Sequence, residues 1–155
     1  MNYVCGPIIL YSFDKTRMLD FLSDVFEFEI DLINDRVLFG ELTLKIKELP
    51  NQERSLGDHR IQNQCIEFEF NLSSIEDLEE IISKFNFFHY RKNDQAQTQI
   101  MEELIVSFDH KDSRSLLIRD IDGRNWTFNF KEVQSDFGFL DELLPLKDVE
   151  TNDFN

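Results

Sequence analysis

The sequence of 155 residues predicts an α+β protein made of two successive β-α-β-β-β modules. Three observations predict this class. Apolar strands and an amphipathic helix occur in the same order twice, on either side of a polar connection at 50–64. A shift of 60 residues lays apolar positions of one half on those of the other. The chain also suits one domain, because 41% hydrophobic residues, with sixteen Phe, supply a substantial core.

The first module begins with the apolar run 7–13, which predicts a strand, and continues with an amphipathic helix over 15–26. Asp14 is placed to cap that helix, because its side chain can accept a hydrogen bond from the first turn. The runs 28–34, 36–41 and 42–49 predict three strands, separated by Asn34-Asp35 and by Gly40. The apolar residues at helical spacing are Met18, Phe21, Leu22 and Val25.

The second module repeats this order. The run 65–72 predicts a strand, and Ser73 and Glu76 have the spacing of a capping box at the start of a helix. We expect the helix to end at Asn86, which tolerates a left-handed backbone. Strands are predicted over 87–92, 103–108, 115–120 and 125–130, with a hairpin turn at Asp122-Gly123. The buried stripe of this helix is predicted to contain Ile75, Leu78, Ile82 and Phe85.

The repeat sets the predicted domain organisation. We expect a single domain over 1–132, with modules at about 7–50 and 64–130, followed by an acidic tail over 133–155. Four apolar tail residues have helical spacing before Pro145, so we expect a short helix docked on its own domain or on a dimer mate. They are Phe139, Leu140, Leu143 and Leu144. The shift of 60 pairs Phe21 with Ile81, Val25 with Phe85 and Phe28 with Phe88.

Charge and composition limit the partners. The formal net charge of −15 opposes binding to nucleic acid, whose phosphates are repelled within a Debye length of roughly 8 Å. No apolar run approaches the roughly 20 residues of a membrane helix, and the N-terminus lacks a secretory signal pattern. We expect a cytoplasmic protein with no nucleic-acid or membrane partner. Cys5 and Cys65 belong to no CxxC pair, so reduced thiols are expected.

Two such modules in one short chain resemble the superfamily of glyoxalases, bleomycin resistance proteins and extradiol dioxygenases, which has the vicinal oxygen chelate fold. The stretch FDKTRMLDFLSDVFEF resembles part of that family's first module, and RDIDGRNWTF resembles its DPDGNxxEL hairpin. Departures are Leu22 for the usual Tyr, Glu27 for the usual Gly and Ile121 for the usual Pro. The resemblance covers 7–130 and implies a cupped mixed sheet, with helices outside and a ligand cavity within.

Active members of that family hold a divalent metal, through a His or Glu near the start of each module's first strand and a Glu on each last strand. The matching positions here are Pro7 and Glu67, then Thr127 and either Thr43 or Lys45. Proline has no ligating group, a Thr hydroxyl is a poor ligand and a Lys ammonium repels the ion. Because these residues replace the ligands of active members, we expect no metal and no other cofactor. The three histidines do not restore a ligand set: His59, His89 and His110.

Strand alternation divides the side chains between the two faces of each sheet. We assign no catalytic residue. The residues predicted to face the helices are Ile8, Leu10, Phe68, Phe70, Trp126 and Phe128. The residues predicted to face the cup, which form the candidate ligand-binding set, are Ile9, Tyr11, Cys65, Glu67, Glu69, Asn71, Thr127 and Asn129.

Glu67 and Glu69 lie on one side of a strand, about 7 Å apart, so their repulsion favours a neighbouring cation. Lys45 and Arg119 are the candidates. The pair fits a structural ion pair and a ligand site equally well, and general acid–base catalysis is a further alternative. A nucleophilic role for Cys65 lacks support, because no His is near it in the sequence.

Three classes of function fit these residues. A metal-free protein that binds a small cationic or neutral molecule with an apolar body needs only a cup with a few polar groups, as in drug-sequestering members of the superfamily. A metal-dependent lyase, isomerase or dioxygenase needs ligands that the matching positions lack. A protein-interaction or regulatory module would use the C-terminal tail. The first class is favoured, and the resemblance implies a homodimer.

Overall fold

The computed structural model describes residues 5–50, 56–93, 102–110 and 113–131. Its elements confirm the α+β class and the two β-α-β-β-β modules, with an additional helix between them. None of the helices in these ranges combines the length and apolarity that crossing a bilayer requires. The first module contains β1 (Ile8–Ser12), α1 (Lys15–Phe26), β2 (Glu29–Asp31), β3 (Arg36–Phe39) and β4 (Leu42–Glu48). Then follow α2 (Leu56–Asn63), β5 (Glu67–Asn71), α3 (Ile75–Asn93), β6 (Glu103–His110), β7 (Ser113–Arg119) and β8 (Asn125–Lys131).

Each module forms its own four-stranded mixed sheet, and the two sheets have the same topology. The strand orders are β1-β4-β3-β2 and β5-β8-β7-β6. In each sheet the first and last strands of the module pair in parallel, and the other neighbours are antiparallel. The helix that follows β1 or β5 covers one face and leaves the other open. We call the uncovered sides the open faces of the first and second sheets.

One core joins the helices to the covered faces of both sheets. Helices α1 and α3 pack against each other, with the rings of Phe21 and Phe88 5.7 Å apart. Phe26, at the end of α1, lies 5.3 Å from the ring of Trp126 on β8. Five of the six residues predicted to face the helices are buried or half-buried. Ile8 is 47% exposed, because it is the first residue of β1, which lies at the edge of its sheet among the described strands.

Helix α1 has the predicted bounds and the predicted cap. The Asp14 carboxylate accepts a hydrogen bond from the Arg17 N–H at 2.9 Å, and all four predicted apolar residues are buried. The helix ends at Phe26 and is capped by Glu27, whose φ of +58° is left-handed, and whose N–H donates to the Ser23 carbonyl. Glycine adopts this conformation without strain, whereas Glu27 does not.

Helix α3 is longer than predicted, and the strand expected over 87–92 is wrong. The helix continues to Asn93, because Phe85 and Phe88 extend its buried stripe and no Gly or Pro interrupts it. The predicted end at Asn86 is therefore also wrong, as is the pairing of Phe28 with Phe88, since Phe28 follows α1. The N-terminal cap is Ser74 rather than Ser73, because the Ser74 hydroxyl accepts from the Asp77 N–H at 3.1 Å.

Two further segments differ from expectation. Helix α2 lies within the polar connection at 50–64, where no helix was predicted. Strand β2 ends at Asp31, because its carboxylate accepts the N–H groups of Ile33 and Asn34, both at 3.1 Å, and turns the chain. The predicted tail, with its short helix, lies outside the described residues.

Candidate functional site

Five of the predicted site residues lie together on the open face of the second sheet. Strands β5 and β8 pair in the register Glu69 to Thr127 and Asn71 to Asn129. The Thr127 hydroxyl donates to Glu67 Oε1 at 2.7 Å, and the Asn129 amide donates to Glu69 Oε1 at 2.6 Å. Neither carboxylate makes another hydrogen bond among the described residues. One oxygen of each glutamate is therefore available to a ligand.

The alternation of β5 and β8 forces these polar groups outward. Phe68 stacks on Trp126 with ring centroids 4.5 Å apart, and Phe70 stacks on Phe128 at 5.2 Å, all on the covered face. Because successive side chains of a strand point to opposite faces, the intervening residues must point away from the core. The same aromatic packing that holds β5 to β8 thus places both carboxylates on one exposed surface.

The cations expected beside Glu67 and Glu69 are engaged elsewhere, so this expectation is wrong. Lys45 Nζ lies 3.1 Å from Asp35 Oδ2. Arg119 Nη1 lies 2.8 Å from Glu103 Oε2, and Arg119 Nε donates to Asn125 at 3.3 Å. Within the described ranges no cation balances the glutamate pair. The open face of the second sheet is therefore negatively charged at this point.

The remaining three candidates are placed separately. Ile9 and Tyr11 lie on β1, in register with Lys45 and Lys47, and their side chains are about half exposed. No described hydrogen bond or ring contact joins either side chain to the polar residues of the second sheet. Cys65 is exposed in the turn that precedes β5 rather than on the strand.

A buried polar network, which sequence reasoning missed, surrounds the turn before β8. Asp120 Oδ1 accepts the N–H groups of Asp122 at 2.9 Å and Arg124 at 3.0 Å. Asp120 Oδ2 accepts from Arg124 Nε at 3.0 Å and from Trp126 Nε1 at 2.8 Å. Burial raises the pKa of Asp120, against the opposing effect of the Arg124 charge.

This turn joins the two modules. Asp122 Oδ1 accepts the Phe13 N–H at 2.7 Å and lies 3.0 Å from His59 Nε2. Arg124 donates through Nη2 to Asp122 Oδ2 at 2.7 Å and through Nη1 to the Tyr11 carbonyl at 2.8 Å. The free edge of β1 is thereby tied to the second sheet.

Helix α2 is hydrogen-bonded to the same turn. Arg60 Nη1 donates to the carbonyls of Asp120 at 3.0 Å and Ile121 at 2.8 Å, and the Asn63 amide donates to the Asp122 carbonyl at 2.9 Å. The feature of the sequence that could have indicated this network is the presence of three charged residues within five positions around Gly123, between two apolar strands. Because these groups are enclosed and mutually satisfied, the network positions the fold and offers no surface to a substrate.

A second buried cluster holds the start of β6 against the helices. Arg17 donates through Nε and Nη2 to the two carboxylate oxygens of Glu102, at 2.9 and 2.8 Å. These bonds raise the pKa of Arg17. His89 Nε2 lies 3.4 Å from Glu102, but neither ring nitrogen has a hydrogen-bond partner among the described residues. Desolvation lowers the pKa of His89, opposed by Glu102 and reinforced by Arg17.

The donors at the positions that bind metal in the resembling family do not fit a divalent ion. Glu67 is the only carboxylate among them, and the Thr127 hydroxyl directs its proton at that carboxylate. Lys45 is a cation held by Asp35. His59 is occupied by Asp122. No group of three or more His, Cys, Asp or Glu in the described part of the chain is placed to hold a metal.

Comparisons with known proteins extend this picture. No family profile and no curated protein matches the chain. Among solved structures, the fosfomycin resistance protein FosX from Mesorhizobium loti is 14% identical and has a TM-score of 0.56, over 93% of this chain and 100% of that one. FosX from Listeria monocytogenes is 16% identical, with a TM-score of 0.57 over 86% and 98%. A hypothetical protein from S. aureus is 13% identical, with a TM-score of 0.52 over 84% and 97%.

These likenesses confirm at the level of the fold what the module order and the DG hairpin implied. The identities are too low to carry activity or ligand from those proteins to this one. The chain therefore has the fold of the glyoxalase and vicinal oxygen chelate superfamily.

Proposed function

We propose that the protein binds a small organic molecule, cationic or neutral with an apolar body, on the open face of the second sheet and without a metal. The observation that supports this is the pair Glu67 and Glu69. Both carboxylates are exposed, each is oriented by one hydrogen bond, and no described cation balances them. A cationic group is thus attracted by two charges and can donate a charge-assisted hydrogen bond to the second oxygen of each carboxylate.

The same face offers an apolar surface for the body of the ligand. The register across the sheet runs from Glu69 through Thr127 and Leu117 to Ile105, so these side chains share one face. Leu117 is half-buried and Ile105 is 47% exposed. Ligand sites commonly combine such apolar contact with a few placed polar groups. Participation of Ile9, Tyr11 and Cys65 stays a prediction.

The charge of this face argues against carrying the ligand of the FosX structures to this chain. One of those structures, 18% identical, is described as complexed with Mn(II) and a dihydroxypropylphosphonic acid. A phosphonate is anionic, so without a metal it would be repelled by Glu67 and Glu69. We therefore propose a ligand of the opposite charge.

A thermal-shift screen of cationic, neutral and anionic compounds tests the proposal. We expect cationic hits to stabilise the parent more than the double variant Glu67→Gln/Glu69→Gln. The matched control is Glu29→Gln/Glu48→Gln, which removes the same charge from exposed positions of the first sheet. Equal stabilisation of all three proteins by every cationic hit would contradict a binding role for the pair.

Elemental analysis of protein purified without chelator separates the metal-free proposal from a metal-dependent lyase, isomerase or dioxygenase. We expect no stoichiometric divalent ion, because Glu67 has no partner ligands in the part of the chain that the structure describes. About one zinc, iron, nickel or manganese per chain would favour the enzyme.

The homodimer is also part of the proposal, and the cytoplasmic location stays a prediction. Four large apolar side chains at or just after β1 are 45 to 47% exposed: Ile8, Ile9, Tyr11 and Phe13. A second copy would cover them. Sedimentation velocity that shows only monomer at micromolar concentration would contradict the dimer.

A further inference from the structure

A groove on the helical layer lies apart from both open faces. It is lined by one residue of α1, Asp24, and by five of α3: Ser83, Lys84, Phe87, Phe88 and Arg91. Its volume is about 330 Å³, at the lower end of the range for ligand sites, roughly 300 to 1,000 Å³. Phe88 is a buried part of its wall, whereas Phe87 is 62% exposed. The groove therefore presents apolar surface that lacks a cover among the described residues.

The residues that line the groove are less acidic than the chain as a whole. Its lining has two cations, Lys84 and Arg91, and one anion, Asp24, against a net charge of −15 for the protein. Arg91 is paired with Asp24 and lies over the Phe87 ring at 5.7 Å, and Lys84 is paired with both Glu27 and Glu80. A guanidinium has five N–H donors and an ammonium three, so Arg91 keeps donors for a further carboxylate and Lys84 keeps one.

The chain itself contains a segment of complementary chemistry. Residues 136–146, DFGFLDELLPL, carry three acidic side chains, no basic one and six large apolar ones. Phe139 and Leu143, like Leu140 and Leu144, have the i, i+4 spacing with which an apolar helix face fills a groove. The open face of the second sheet would repel this segment, because Glu67 and Glu69 are exposed there.

The chain between Lys131 and this segment is long enough for the segment to reach the groove. Strand β8 ends at Lys131, close to the start of α3, because the Leu72 N–H donates to the Asn129 carbonyl at 2.8 Å just before that helix. Phe87 lies about 18 Å along α3 from Ile75, at 1.5 Å per residue. The connection from Lys131 to Phe137 spans up to about 20 Å when extended.

We propose that residues 136–146 dock in the α1–α3 groove of their own chain, with apolar side chains on Phe87 and acidic ones beside Lys84 and Arg91. This contact covers the exposed aromatic surface and leaves both open faces clear. It is independent of the proposed function, which uses the opposite side of the second sheet.

Amide hydrogen exchange of the full chain tests this docking. We expect amides of 136–146 to exchange at least tenfold more slowly in the parent than in Phe87→Ser. Tyr90→Ser is the matched control, because Tyr90 is 79% exposed on the same helix and does not line the groove. Both positions are largely exposed, so both variants should fold, which circular dichroism checks.

A second pair of variants tests the charge. Lys84→Gln should speed exchange of the segment about two- to fivefold, the range for one exposed ion pair, whereas Lys47→Gln on the first sheet should not. Exchange of 136–146 at the rate of an unstructured chain in the parent would overturn the proposal. So would equal effects of Phe87→Ser and Tyr90→Ser, loss of protection in Tyr11→Ser alone, or protection that rises with protein concentration.

Discussion

Replacing Gly123 by Ala tests whether the turn before β8 and helix α2 form one rigid unit. Gly123 has a φ of +87°, and a Cβ added there would lie 2.5 Å from the Arg60 carbonyl oxygen and 2.8 Å from Arg60 Cα. Both are backbone atoms, so no side-chain rotation relieves the contact. Helix α2 cannot move aside without losing the bonds from Arg60 and Asn63 to the turn.

Two costs add in this variant. A left-handed backbone at a non-glycine residue costs about 1–2 kcal/mol, and overpacking against a fixed neighbour costs about 1–3 kcal/mol. We therefore expect Gly123→Ala to lower the free energy of unfolding by about 2–5 kcal/mol. Gly40→Ala is the matched control, because Gly40 has a φ of +55° but no atom within 4 Å of the added Cβ. Gly40→Ala should therefore lower the free energy of unfolding only by the cost of the left-handed backbone.

Urea denaturation, followed by the fluorescence of Trp126, measures both variants. Trp126 is the only tryptophan, is fully buried and donates to Asp120 in the same turn, so its emission reports on this unit. If Gly123→Ala and Gly40→Ala lower the free energy of unfolding by the same amount within about 0.5 kcal/mol, the added Cβ at position 123 is accommodated without cost. That result would refute the claim that the turn and helix α2 form one rigid unit.

Three other substitutions test separate parts of the fold. Trp126→Ala should lower the free energy of unfolding by about 3–5 kcal/mol, the range for a buried aromatic. An unchanged urea midpoint, followed by circular dichroism, would contradict the strand parity. Glu27→Gly should raise the free energy of unfolding by up to about 1 kcal/mol, because glycine adopts the left-handed φ without strain. The variant also loses the ion pair with Lys84, so a lower free energy of unfolding would show that this pair outweighs the strain. Burial lowers the pKa of His89 in the folded chain. As pH falls below about 6.5, His89 is therefore protonated in the unfolded chain before it is protonated in the folded one, so the free energy of unfolding should fall. His89→Gln should reduce that fall in pH-dependent urea titrations, and an unchanged slope would contradict it.

Local signals were sufficient where the sequence determines its own structure. Helix α1 has its predicted bounds, because the Asp14 cap and a regular apolar stripe act within a few residues of each other. Strand alternation likewise placed Glu67 and Thr127 on one face, and the register then brings them to 2.7 Å.

Long-range contacts decided the rest. Helix α2 has little apolar surface and is held by side chains such as His59, whose partner Asp122 is 63 positions away. The residues after Asn86 have aromatic character that favours a strand, but packing of Phe88 on Phe21 keeps them helical. The partner of Lys45 could not be predicted, because it depends on where the turn before β3 places Asp35.

The central claim is metal-free recognition of a cation by Glu67 and Glu69, and one calorimetric titration tests it most directly. A cationic compound that stabilises the parent is titrated into the parent and into Glu67→Gln/Glu69→Gln, both in EDTA. The account predicts that binding to the parent persists in the chelator and is weaker in the double variant by more than about 1 kcal/mol, the lower end for charge-assisted hydrogen bonds. Binding that disappears in EDTA and returns with a divalent metal, or equal affinity for both proteins, would contradict it.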